Sequence, residues 1–205
     1  MKHYITQIDL TPNVVKEQKI TDTYSLHRVV YDQFDLTGSC EEGQRQAPLW
    51  TVSNGDVVKK LIILSSIEPR NVESEAVMQA RSVKEMPEDL LEHSDYLFKI
   101  TVNPVLVRRN EKLKVIPIKD VTEIKKWFVN KCLKNGMEVN CSSLDLISKK
   151  ADIFKANNIK NVINKCVVQG QLKVIDPEKF RYAIFNGIGR SKTFGCGLMQ
   201  VLPIL

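Results

Sequence analysis

Tyr24, His27, Arg28 and Tyr31 stand within eight residues of one another and bring two phenols, an imidazole and a guanidinium into one short segment. At roughly 100° per residue, a helix through DTYSLHRVVYDQF gathers Leu26, Val29, Val30 and Phe34 on its core side. It turns Tyr24, Arg28 and Tyr31 to the other side, with His27 on the flank. Such a group suits cleavage of RNA without a metal. The 2′-hydroxyl must lose a proton as it attacks the neighbouring phosphate, and the departing 5′-oxygen must gain one. Imidazole, with an unperturbed pKa of about 6.5, can do either near neutral pH, whereas a phenol near about 10 donates or positions. A nearby cation stabilises the charge that builds on the phosphate. The competing reading is a helix histidine at an ordinary surface boundary. His3 falls in a strand and His93 in a connecting segment, neither in comparable company.

The segment Gly187-Ile188-Gly189-Arg190-Ser191-Lys192-Thr193-Phe194-Gly195-Cys196-Gly197 packs four glycines and two cations into eleven residues. Glycines let a backbone approach phosphates and present its N–H groups, and Arg190 and Lys192 add charge. The run is not a Walker A loop, because Ser191 precedes Lys192 where a glycine is required. Nor is it a dinucleotide fingerprint, since Lys192 occupies the third glycine position and the loop follows a helix. A helix C-cap followed by a bulged strand is the alternative. Further back, residues 154–165 combine Lys155, Lys160 and Lys165 with four asparagines around an expected turn, Ala156-Asn157-Asn158-Ile159. A basic hairpin tip can contact the phosphates of an RNA stem, and an ordinary polar turn fits the same residues.

Charge is distributed unevenly along the chain. Residues 1–95 carry 10 Lys+Arg against 16 Asp+Glu, a net of −6, and residues 96–205 carry 20 against 8, a net of +12. A polyanion is therefore expected mainly on the C-terminal portion. The five cysteines, Cys40, Cys132, Cys141, Cys166 and Cys196, form no Cys-x-x-Cys pair, and three histidines leave little for a metal site. We expect no metal and no cofactor, reduced thiols, a cytoplasmic location and no membrane association, as no apolar stretch approaches the roughly 20 residues that span a bilayer.

The elements that must position these groups follow from periodicity. Residues 2–10 alternate as a strand. After a polar stretch past Pro12, Asp22 or Thr23 caps a helix to about Phe34, and Gly38 closes the region. Residues 48–52 and 57–65 form a hairpin, with Asn54-Gly55 supplying a tight turn. Residues 66–94 are expected to be irregular, with one edge strand near Ala76 to Val83. The second half begins with a strand from Tyr96 to Val107 and a partner at Leu113 to Ile118. Asp120 then caps a helix over 121–134, stopped by Asn135-Gly136. Two long strands (144–155 and 160–174), a helix from Asp176 to Phe185 and a closing central strand over 198–202 complete it. Strand, helix, hairpin, helix or its remnant, and strand recur in each half. That order fits α+β architecture with two tandem ferredoxin-like units built on antiparallel sheets, divided as residues 1–94 and 95–205.

Tyr24-Ser25-Leu26-His27-Arg28, Phe98-Lys99-Ile100-Thr101-Val102-Asn103-Pro104 and the Gly187 to Leu198 loop together resemble the CasE family of the type I-E CRISPR Cascade system, in order and spacing along essentially the whole chain. The resemblance implies two ferredoxin-like domains that bind the repeat stem-loop of a CRISPR transcript and cut at the 3′ base of the stem without a metal. It implies His27 as the principal catalytic residue and Tyr24 as its assistant, leaving a 5′-hydroxyl and a 2′,3′-cyclic phosphate. It further implies that the protein stays on its product and joins the other Cascade subunits, being monomeric on its own. The expected RNA-binding set is Arg28, Tyr31, Lys155, Lys160, Lys165, Gly187, Gly189, Arg190, Lys192, Gly195 and Gly197. The hairpin carries lysines where relatives often place arginine, and lysine lacks the bidentate fork.

Overall fold

The computed structural model describes residues 2–36, 47–109, 113–156 and 159–204. The chain divides into two compact units. The first is Met1–Glu88 together with Phe154–Asn161 and Thr193–Gly195; the second is Asp89–Ile153, Val162–Lys192 and Cys196–Leu205.

In the first unit the order is β1 (Tyr4–Asp9), α1 (Pro12–Glu17), α2 (Thr23–Asp32), β2 (Leu49–Asn54), β3 (Lys59–Ser65), α3 (Glu75–Ala80) and β4 (Arg81–Glu85). The strands lie in the order β2-β3-β1-β4, each pair antiparallel, which is the ferredoxin-like arrangement. The core gathers Ile8, Val29, Val30, Phe34, Trp50, Leu61 and Ile63, so the alternating strand residues and one stripe of α2 meet as their periods require. A reciprocal capping box starts α2. Ser25 N–H donates to the Asp22 carboxylate at 2.8 Å, and Asp22 N–H donates to Ser25 Oγ at 3.0 Å.

Three expectations for this half need correction. The stretch after Pro12 is helical, because Thr11 caps it and Pro12 sits where its missing N–H costs nothing. Residues 75–80 form a helix capped by Ser74, and the edge strand starts only at Arg81. The β2–β3 turn spans residues 55–58, closed by Gly55 N–H to Val58 O at 3.1 Å. Neither Asn54 nor Gly55 adopts a positive φ, so Gly55 serves a close approach in which a Cβ would collide with Val58 O. Gly38 and Cys40 lie outside the described residues.

The second unit runs β5 (Asp95–Val102), β6 (Val105–Arg109), β7 (Leu113–Pro117), α4 (Val121–Lys134), β8 (Met137–Val139), β9 (Asp145–Ala156), β10 (Ile159–Val174), α5 (Pro177–Asn186) and β11 (Met199–Pro203). The ends of β9 and β10 that fall within Phe154–Asn161 are counted in the first unit. The path β11-β5-β10-β8 repeats the ferredoxin-like order, with β9 added on β10 and β6–β7 as a separate antiparallel hairpin. Helix α4 occupies the expected span, capped by Asp120, with Ile124, Phe128 and Cys132 buried. The expected 96–107 strand is broken at Asn103-Pro104, where proline removes a ladder donor and the chain turns into β6. The closing strand β11 is an edge strand among the described residues, not a central one, and Leu202 on it is exposed. The three-residue β8 carries no periodic signal of its own. Asn157 and Asn158 of the expected turn lie outside the described residues.

Candidate active site

The capping box fixes where α2 begins, and with it the angular position of every side chain that follows. One turn from Tyr24, the half-buried His27 ring stacks on it, with centroids 5.9 Å apart and 17° between planes. On the next turn Tyr31 lies 4.1 Å from His27, and Phe194 approaches at 5.5 Å. Phe194 in turn meets Phe154 at 4.8 Å. All five rings belong to the first unit. Tyr31 departs from expectation: it packs partly against the apolar core and is only half exposed, because the body of a phenol is apolar. Arg28 is exposed.

His27 Nδ1 lies 2.9 Å from the carbonyl oxygen of Thr193. A carbonyl can only accept, so Nδ1 carries the proton and Nε2 keeps its lone pair in the neutral ring. Burial pushes the His27 pKa below its ordinary 6.5, and the Thr193 carbonyl opposes that shift in part. The ring is therefore mainly uncharged at neutral pH. The same Thr193 oxygen accepts a second bond, from Trp50 Nε1–H at 3.1 Å. Gly195 lies on the Trp50 ring with φ +80°, where a Cβ would stand 2.8 Å from Cζ3.

Among the lysines of the hairpin, Lys155 and Lys160 are exposed. Lys165 is ion-paired with Asp152 at 2.8 Å, with about a fifth of its side chain exposed. The pair takes Lys165 out of the exposed cationic set.

In the second unit Gly187 caps α5, its N–H donating to Ala183 O at 2.8 Å. Gly189 also has a positive φ, and a Cβ there would stand 3.7 Å from Cη2 of Trp127. Gly197 is constrained by both its backbone angle and its neighbours. Its φ is +89°, a Cβ would meet Ile188 O at 2.9 Å, and its N–H donates to Thr101 O at 2.7 Å. Lys192 Nζ donates to Asn186 O at 2.6 Å, where a cation suits the carbonyl end of α5. Asn103 donates to Ser191 Oγ at 2.9 Å and holds that residue at φ 61°. Arg190 remains exposed.

Sequence reasoning missed Trp50, Thr193 as a carbonyl acceptor, Asp152 and the role of Asn103. Trp50 and Thr193 are 143 residues apart, and no local pattern marks such a pair. Among the described residues no group of three or more His, Cys, Asp or Glu is placed to hold a metal ion, and no helix is long and apolar enough to cross a membrane.

Comparison with known proteins adds a family and a fold. The model of a family described as CRISPR associated protein matches residues 3–203. The structure of Thermus thermophilus Cse3 bound to an RNA representing a pre-cleavage complex is similar at 19% identity and a TM-score of 0.78, over 99% of this chain and 100% of that one. Cas6e from Escherichia coli str. K-12 is similar at 19% identity and a TM-score of 0.70, over 98% and 100%. A chain of a CRISPR RNA-guided surveillance complex is similar at 18% identity and a TM-score of 0.67, over 98% and 100%. The search of curated proteins found no match.

Proposed function

The chain belongs to the CRISPR associated protein family, and from that membership we propose that it is an endoribonuclease that binds the repeat stem-loop of a CRISPR transcript and cleaves it at the 3′ base of the stem without a metal. The observation that carries the reading is the half-buried His27, whose Nδ1–H bond to Thr193 leaves Nε2 as a base. The whole-chain likeness to Cse3, solved with RNA, supports it.

His27 Nε2 takes the proton of the 2′-hydroxyl as the O2′–P bond forms. The P–O5′ bond breaks, and the leaving oxygen receives a proton from the Tyr24 hydroxyl or from water relayed by it. The products are a 2′,3′-cyclic phosphate and a 5′-hydroxyl, as the balance of atoms requires. Arg28 supports the charge on the phosphate, while Tyr31 walls the imidazole. Lys155, Lys160 and Arg190, all exposed, contact RNA phosphates. Lys165 and Lys192 shape the hairpin and loop through Asp152 and Asn186. Gly187, Gly189, Gly195 and Gly197 set the path of the loop's backbone. After cleavage the protein remains on its stem-loop and assembles with other Cascade subunits, a proposal supported by the likeness to a surveillance-complex chain.

The test is cleavage of a CRISPR repeat stem-loop RNA, in EDTA, by wild type and His27→Ala. Wild type should cut and the variant should not, with stem-loop affinity nearly unchanged. Normal cutting by the variant would remove the assignment, and an uncut RNA with wild type would leave a stem-loop binder.

A further inference from the structure

Trp50 is fully buried, on a strand paired along its length with β3. A buried indole N–H must find an acceptor, and many carbonyls would serve that need. Here the acceptor is the Thr193 oxygen, which also receives His27 Nδ1–H. A carbonyl has two lone pairs, and these two donors occupy both. One donor is rigid, at 0% exposure in the core; the other is the half-buried imidazole. A second contact independently ties the same segment to the same side chain. Gly195 rests on the indole face so closely that any Cβ would collide with the ring.

We propose that Trp50 is a positioning residue for RNA cleavage, its indole N–H holding the Thr193 carbonyl where that oxygen fixes the tautomer and orientation of His27. The inference rests on the reading of His27 as the base. Free imidazole favours the proton on Nε2, the tautomer with no lone pair there to accept a proton. Holding the proton on Nδ1 therefore needs an acceptor that does not move. The Thr193 oxygen belongs to an irregular segment that makes a single 3-10 turn, Lys192–Phe194. Trp50 gives that segment an anchor in the sheet. Among the described residues the titratable groups whose rings face His27 are Tyr24 and Tyr31 on its own helix, with the apolar ring of Phe194 also against it, and no charged side chain contributes to its shift.

Two variants remove the donor while keeping an aromatic side chain. One is Trp50→Phe. The other replaces Trp50 by 3-benzothienylalanine, which has the shape of tryptophan with sulfur in place of N–H, and which guards against a packing defect. Imidazole ¹⁵N NMR of the free protein should show the Nδ1–H tautomer of His27 in wild type. In both variants it should move toward Nε2–H, with the His27 titration midpoint lowered, because the bond that raises it is weakened. Single-turnover cleavage of the repeat stem-loop should fall roughly ten- to hundredfold, as expected when a catalytic imidazole is partly displaced from its productive position. Affinity for the same RNA bearing a 2′-deoxy group at the cut site should not change. Folded variants that keep the wild-type tautomer, midpoint and rate would overturn the proposal, as would a wild-type His27 protonated on Nε2. Should wild type fail to cut the RNA, the endoribonuclease reading falls while the NMR arm still decides whether Trp50 positions the ring.

Discussion

Helices α2 and α4 hold the same place in two units of the same topology, and they are used differently. Helix α4 is an ordinary amphipathic helix: Ile124, Phe128 and Cys132 are buried, and Glu123 and Lys126 pair at 3.1 Å on its exposed face. Burial pushes the Cys132 thiol out of the reactive range. Helix α2 buries Val29 and Val30 in the same manner, but at its flank places an imidazole between a phenol on either turn and a backbone carbonyl. The difference teaches that the fold supplies a helix against a sheet, and that a site arises where the helix's boundary face meets a fixed polar partner.

The comparison is sharpest when one helix loses chemistry and the other loses packing. His27→Ala should cost about 10³-fold in cleavage rate with little change in stability, since a general base contributes on that order. Phe128→Ala should do the reverse, lowering stability by about 3–5 kcal/mol in a denaturant melt while the folded fraction cuts normally. If Phe128→Ala slowed the folded enzyme as much as it destabilised it, the division between the helices would break. Replacing both exposed hairpin lysines, Lys155 and Lys160, with alanine should weaken RNA binding and reduce the slope of log affinity against log salt by about two, leaving the saturated rate intact. Losing a cap is the smallest effect. Asp120→Ala should cost about 1 kcal/mol of stability and nothing in cleavage.

Much of this frame could be read in advance because it is local and periodic. Helix α4 announces itself through Asp120, a 3.6-residue apolar repeat and Asn135-Gly136, and the long strands β9 and β10 through their alternation. The elements that escaped are too short for a period to show: α1 and α3 at six residues each, and β8 at three. Strand β11 reads as central because its residues are apolar, although Leu202 is exposed; hydropathy does not distinguish an edge from a centre. At the site, the spacing of Tyr24 and His27 was legible from the helix alone. The bonds that orient His27 were not, since they join α2, β2 and the glycine-rich segment across the sequence. The glycines were visible as a motif, but their reasons, such as the Trp50 face under Gly195, belong to tertiary structure.

The most direct test of His27 as a neutral base is the rate of single-turnover cleavage of the repeat stem-loop against pH, in EDTA. Protonation disables a base, so the rate should hold on a plateau at neutral pH and fall as the pH drops through a midpoint below 6.5, the ordinary histidine value. A rate that rises as pH falls through that window would mean that the imidazolium form is the active one, and would contradict the account.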